Sequence, residues 1–418
     1  MDLKPMLFTT LKNYSKKDLV SDIVAGIIVA IIALPLSIAL ALASGVGPEE
    51  GLYTAIVAGF LISAFGGSTV QIAGPTAAFA TIVAGIVAEK GMEGLMMATL
   101  MAGAILVVMG VCRLGKLIRF VPHPITVGFT AGIAVTILIG QFKDFFGITY
   151  PEGFKPIETV EKLHGFIENI ATINLWGVAV GVVSLVILIV WPRLKGLSKI
   201  PGSLVAVLLG AAAVALLDLP VNTIGDLYTV EGGLPKFHMP VFNVELAGSV
   251  VMDAITIAVL AAIESLLSCV VADNMTGTKH RSNAELVAQG IGNVGSALFG
   301  GIPATGAIAR TAANIKNGGK SPIAGMVHAI VLLLVMVVFM PYASLIPMPV
   351  IAAVLFIVAY NMSHWHAFVD IIREKNVVDI LVLVLTFALT VIFDLVVAIA
   401  VGLGLYYIIF FAKKIIKK

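Results

Sequence analysis

Charge is what this chain has least of. Only 12% of its 418 residues are Asp, Glu, Lys or Arg, about half the share usual in soluble domains. Together with 59% hydrophobic residues and a mean hydropathy of +1.07, that scarcity excludes an ordinary soluble fold. Cysteine is almost missing. Cys112 and Cys269 both lie in apolar stretches, so neither a disulfide framework nor metal-ligand spacing is present. The sequence also lacks a Walker loop, a nucleophile elbow and an HExxH helix, and His164 and His238 stand alone in polar stretches as solvated loop residues. An enzyme is therefore not expected, and neither is a cofactor, a bound metal or a nucleic-acid partner. No small-residue cleavage site follows Lys12, Lys16 and Lys17, which reads as the lead-in to an uncleaved first span.

Long apolar runs are what the chain does have. A complete crossing takes about 20 residues, and fourteen segments are expected to cross fully or in part: 22–44, 51–66, 74–89, 93–112, 122–140, 173–191, 202–217, 247–271, 284–299, 304–316, 323–340, 345–361, 377–393 and 395–412. With the N-terminus inside, the outer face receives only Lys90, Lys143, Lys155, Lys162 and Lys236 of the 26 basic residues. Nearly all the others, Arg119, Lys195, Lys199, Lys413, Lys414, Lys417 and Lys418 among them, fall on the inner face, so both termini are expected in the cytoplasm of an inner (plasma) membrane protein. The two long polar stretches, Lys143 to Ile170 and Asp218 to Glu245, then lie outside. They hold an amphipathic piece at Thr159 to Ile170 and a strand-like piece at Phe237 to Val244.

One charge falls inside the membrane. Arg310 sits in GGIPATGAIARTAANIKNGGKSP (Gly300 to Pro322), between apolar runs. An unpaired guanidinium in hydrocarbon costs several kcal/mol, so it is expected at a protein-lined cavity, a carboxylate or an anionic ligand. Gly300, Gly301, Pro303, Thr305 and Gly306 ahead of it argue for a helix that starts late, with free N–H groups and the positive end of its dipole aimed into the membrane interior. The other half of the chain repeats the pattern. LYTAIVAGFLISAFGG (Leu52 to Gly67) is echoed by ELVAQGIGNVGSALFGG (Glu285 to Gly301), and each leads into a broken segment, STVQIAGPTAAFATIVAG and IPATGAIARTAANIKNGG. Seven spans in 1–246 and seven in 247–418 make an inverted repeat. It sets Gly74, Pro75 and Thr76 opposite Thr305, Gly306 and Arg310 around an anion-sized gap.

At these residues the sequence resembles the SulP family of sulfate permease-type anion transporters, which includes prestin and pendrin. The matching blocks are PLSIALALASGVGPEEGLYTA (Pro35 to Ala55), GGSTVQIAGPTAAF (Gly66 to Phe79), IESLLSCVVADNMTGTKHRSNAELVAQGIGN (Ile263 to Asn293) and GGIPATGAIARTAANIKNGGKSPIAG (Gly300 to Gly325). The resemblance implies an all-α polytopic membrane protein of fourteen segments, with half-helices at spans 3 and 10. It implies a core domain (spans 1–4 and 8–11) moving elevator-fashion against a gate domain (spans 5–7 and 12–14), and a homodimer. Its anion site would use Leu36, Ser37 and Leu40, then Gly74, Pro75, Thr76 and Ala77, then Thr305, Gly306, Ala307, Ile308, Ala309 and Arg310. Leu36 and Ala309 replace polar residues of eukaryotic and prestin-like members, which leaves more of the anion binding to backbone N–H groups. Family members usually continue into a STAS domain, whereas this sequence stops at Lys418.

A second embedded charge, Glu264, is the natural partner for Arg310, and Ser268 shares its helix face while Asp253 lies near it. In the resembling bacterial carriers an acid here serves the coupling cation, so Glu264 and Ser268 are expected to take the driving proton or, alternatively, a sodium ion. A static Glu264–Arg310 ion pair is the structural alternative. Asp394 reads as a helix cap between the last two spans. The expected function is secondary transport of a small anion, with proton-coupled uptake of a C4-dicarboxylate such as fumarate or succinate placed first. Sodium-coupled bicarbonate or proton-coupled sulfate transport is the alternative, and a passive anion channel or motor-like protein the reading from another class.

Overall fold

The computed structural model describes residues 3–116, 122–154, 156–194, 200–230, 233–240, 243–393 and 395–416. Arg119, Lys155, Lys195, Lys199, Asp394, Lys417 and Lys418, and so the proposed Asp394 cap, lie outside them. In chain order the helices are α1 (Leu7–Thr10), α2 (Lys16–Ala43), α3 (Pro48–Phe65), α4 (Ala80–Val111), α5 (His123–Gly140), α6 (Phe142–Phe146), α7 (Thr159–Glu168), α8 (Leu175–Val190), α9 (Gly202–Leu217) and α10 (Ile224–Leu227). They continue as α11 (Val244–Ser249), α12 (Val251–Thr276), α13 (Ser282–Leu298), α14 (Ile308–Lys316), α15 (Pro322–Ala343), α16 (Met348–Met362), α17 (Trp365–Arg373), α18 (Val377–Ile392) and α19 (Leu395–Ile416). Two short strands, β1 (Ala73–Gly74) and β2 (Thr305–Gly306), interrupt them. Among the described residues seven helices are long and apolar enough to cross a membrane.

The expected spans recur as these helices, with one join and one break. Spans 3 and 4 form the continuous α4 broken at Gly91, whose φ of 68° and ψ of −174° make the reversal there. This is a backbone position that suits glycine because it has no Cβ. Span 8 begins as α11 and restarts as α12. The amphipathic piece after Lys143 is helix α7, closed by a capping box between Glu158 and Glu161. The strand-like piece at Phe237 is not a strand in its described residues: Pro240 donates no backbone hydrogen bond, and Val244 already opens α11.

The chain divides into two compact units, Met1–Ile118 with Val186–Pro347, and Arg119–Leu185 with Met348–Lys418. In the first, α3 lies between α13 and α15, α4 packs on α12 and α13, and α14 rests on α12 and α2. Its core is small and close-set: Ala58, Ile62, Ala73 and Ala304 cluster with almost no exposure. In the second unit, α5 packs chiefly on α18 and α16. Gly128 and Gly132 of α5 meet Thr386 and Thr390 of α18, the small-residue contact that lets membrane helices approach closely. Phe142, Phe145, Phe146, Phe166 and Phe356 form its aromatic cluster.

Candidate anion site

The two broken segments meet inside the first unit. β1 and β2 pair antiparallel, Ala73 with Gly306 and Gly74 with Thr305. Proline, glycine and threonine around each strand keep the chain extended, and the helices begin only beyond them. A short 3₁₀ turn over Ala77–Phe79 leads into α4, and α14 starts at Ile308. Neither Thr76 nor Ala307, which precede these starts, caps its helix with a side chain. The first N–H groups of both therefore remain available to an anion, with the dipoles behind them. Cross-bonds fix the distance between the tips. Ala307 N donates to Ile72 O (2.9 Å), Ile72 N to Thr311 Oγ1 (3.0 Å) and Asn314 Nδ2 to Val70 O (2.8 Å).

Arg310 is 1% exposed. Its Nη2 donates to Ser37 Oγ (3.2 Å) and to Pro75 O (3.3 Å), while Nε and Nη1 are buried with no acceptor among the described residues. A guanidinium held by neutral acceptors keeps its full charge, so a buried anion beside it gains strongly. Gly74 permits the arrangement, because a Cβ there would fall on Arg310 Nη1. Gly51 has the same role in the layer behind, where a Cβ would collide with the Ser37 carbonyl.

The other expected residues are placed as follows. Leu40 is buried and Leu36 half-buried in the α2 turn around Ser37, which follows Pro35. Thr305 Oγ1 donates to Ala261 O (2.9 Å) and so serves the scaffold. Ala307 and Ile308 are half-buried and Ala309 is exposed, so the first turn of α14 is open. Glu264 is 9% exposed and accepts from Thr76 Oγ1 (2.9 Å). Ser268, fully buried, reaches Thr311 Oγ1 at 3.4 Å. The static Glu264–Arg310 pair does not form among the described ion pairs, because Glu264 is turned to Thr76 and Arg310 to Ser37 and Pro75. Asp253 pairs instead with Lys90 at 2.6 Å, at the end of α4's first half. Among the described residues no group of three or more His, Cys, Asp or Glu is gathered for a metal.

Sequence reasoning missed the network that holds the first broken segment. Glu285, 1% exposed, accepts from Gly67 N (2.9 Å), Gln71 Nε2 (2.7 Å), Ser265 Oγ (3.1 Å) and Gln289 Nε2 (2.8 Å). Two turns further, Asn293 Oδ1 accepts from Ala304 N and its Nδ2 donates to Ala304 O, both at 2.9 Å. Glu285, Gln289 and Asn293 stand four residues apart, a polar stripe that the helical period would have shown.

The family model described as the sulfate permease family matches residues 19–386. The chain belongs to that family. A Bacillus subtilis (strain 168) protein named "Putative sulfate transporter YvdB" is 46% identical over 379 residues, 89% of this chain and 70% of its own. The bicarbonate transporter BicA of Synechocystis sp. is 33% identical over 368 residues, 85% of this chain and 63% of its own length. Among solved structures, the transmembrane domain of a cyanobacterial BicA superposes with a TM-score of 0.83 at 31% identity, covering 92% of this chain and 98% of that one. SLC26A9 superposes with a TM-score of 0.87 at 21% identity over 97% of this chain and 67% of its own, which shows the shared fold. The protein is thus an all-α, multi-pass membrane protein of a transporter family.

Proposed function

We propose that the chain is a secondary transporter that binds a small oxyanion between the tips of α4 and α14, against Arg310. One observation carries this reading: a buried guanidinium with Nε and Nη1 unbonded sits beside two helix starts that no side chain caps. Three electropositive groups converge here, with the Glu264 carboxylate held to one side on Thr76, an arrangement that suits an anion at the helix tips. Sulfate and bicarbonate are the substrates to try first, since YvdB and BicA carry those names; the sequence-based preference for a C4-dicarboxylate follows them. Glu264, held to Thr76 at the mouth of α4, is suited to carry the coupling proton or sodium, because occupation of the carboxylate and of the anion site is transmitted through one hydroxyl.

Movement of a core (spans 1–4 and 8–11) against a gate (spans 5–7 and 12–14), a fourteen-segment inverted repeat, cytoplasmic termini and a homodimer complete the proposal. The residues proposed for the site all belong to one compact unit, which also takes in span 7, and this supports a site carried by a single moving body. The test is uptake of sulfate, bicarbonate, fumarate, succinate and chloride into proteoliposomes, with and without inward proton or sodium gradients. Arg310→Ala is expected to abolish uptake of whichever anion the wild type accumulates. Full uptake by that variant would overturn the site, and flux indifferent to both gradients would favour a passive conductor instead.

A further inference from the structure

His328 of α15 is fully buried, yet neither Nδ1 nor Nε2 has a hydrogen-bond partner among the described residues. A second buried group beside it is in the same condition. Ser63 Oγ of α3 is also unbonded, and it lies against Gly325, one turn before His328 on α15. The ring's position follows from two glycines. A Cβ on Gly59 would stand 3.9 Å from His328 Nδ1 and 3.2 Å from Ala73 O, while a Cβ on Gly74 would meet Arg310 Nη1 and lie 3.5 Å from Ala55 Cα. Ala55 and Gly59 share one face of α3, four residues apart. The imidazole and the guanidinium thus stand at successive turns of one α3 face, the ring beside Gly59 and Arg310 across Gly74 from Ala55.

We propose that His328 is a proton-binding site behind Arg310, and that it takes up a proton when Arg310 holds a dianion. The inference rests on the anion-carrier reading above. The elements packed around the ring supply few charges. α14 gives Arg310, α3 gives only Ser63 and small apolar residues, and the segment before β1 gives Gln71. Asp22 of α2 lies two turns away at Ser321, and Glu285 of α13 lies beyond Gln71; each is already taken up by four donors. Among the described residues Arg310 is the one cation facing the ring, so a charged imidazole is opposed while the guanidinium stands alone. A bound dianion reverses that field. Dianion, guanidinium and imidazolium then sum to zero, and with Glu264 protonated the buried groups move as an uncharged load.

The test uses the full chain in detergent with sulfate as the probe. If one proton enters with the anion, wild-type sulfate affinity tightens about tenfold per pH unit on acidification through the linked range. H328Q is expected to lose one proton's worth of that slope, and H164Q, a variant of an exposed histidine on α7, to keep the wild-type slope. A full wild-type slope in H328Q, or an equal loss in H164Q, would overturn the proposal. Wild-type binding with no slope would do the same. Should the wild type bind none of sulfate, bicarbonate and fumarate, the carrier reading itself fails, and this inference falls with it. Because H328Q could fail to fold, ¹⁵N NMR of histidine-labelled wild type gives an independent reading. One buried imidazole should pass from neutral to charged on adding sulfate; no such change would overturn the assignment.

Discussion

Gly74→Ala is the smallest change that asks whether Arg310 is held where it matters. A methyl at Gly74 would occupy the place of Arg310 Nη1, and the strand cannot retreat from it. Ala55 Cα stands 3.5 Å from the new carbon on the α3 side, and the pairing of Gly74 with Thr305 fixes the other. The guanidinium is the group free to move, and moving it breaks the bonds from Nη2 to Ser37 Oγ and Pro75 O. Hydrogen bonds to charged groups contribute about 1.5–3 kcal/mol each. If water or a new rotamer restores half of that, about 2 kcal/mol of anion affinity is lost, which is about thirtyfold in Kd. The assay is anion binding to purified protein by calorimetry, with Gly85→Ala as control. Gly85 lies in α4 with open space at its Cβ, so alanine there is expected to be neutral or stabilising by up to about 1 kcal/mol. Equal affinity in Gly74→Ala and Gly85→Ala would refute the placement of Arg310 at the anion.

Three further outcomes are expected. Glu264→Gln keeps an oxygen for the Thr76 hydroxyl, so anion binding should persist while the dependence of uptake on the driving gradient weakens; gradient-driven uptake at the wild-type rate would remove Glu264 from coupling. Glu285→Ala strands four donors in the interior and should lower stability by about 3–5 kcal/mol, measured as a fall in the thermal midpoint in detergent, whereas Glu285→Gln should cost less. Tyr14, just ahead of α2, has its hydroxyl pushed up to about 12 by burial and by its 2.6 Å bond to Asp22. Its folded form holds the proton longer than the unfolded chain, so the contribution is complete below about pH 10 and is lost as pH rises from there through about 12. Tyr14→Phe should be less stable than wild type near neutrality and lose less on that alkaline rise; parallel alkaline melting curves would refute this.

Most of the helices are legible in the residues alone, because a segment that crosses a membrane must be apolar along nearly its whole length. The broken segments are legible for the complementary reason: Gly74, Pro75, Pro303 and Gly306 are poor helix residues in places where helix is otherwise demanded. Arg310 stands out as a charge without neighbours. Pairing is what linear order conceals. Glu264 suggests itself for Arg310 because both are charged and embedded, but helix rotation sends one to Thr76 and the other to Ser37. Glu285 is hidden because its helix matches an apolar counterpart in the first half, and four hydrogen bonds from several separate segments leave no trace in the order of residues. His328 is hidden as one polar residue in a long apolar run.

The strand contact between the two tips bears on how the protein is made. Asn314 closes on Val70 across 244 positions of chain, so the first interrupted segment leaves the ribosome long before its partner exists. Until then its amides and carbonyls have nothing to bond inside lipid, and bilayers do not tolerate such exposed backbone. The nascent segment must therefore wait in the insertion machinery or at the water interface. Truncations ending before Gly306 should remain bound to translocation factors, however hydrophobic their completed spans.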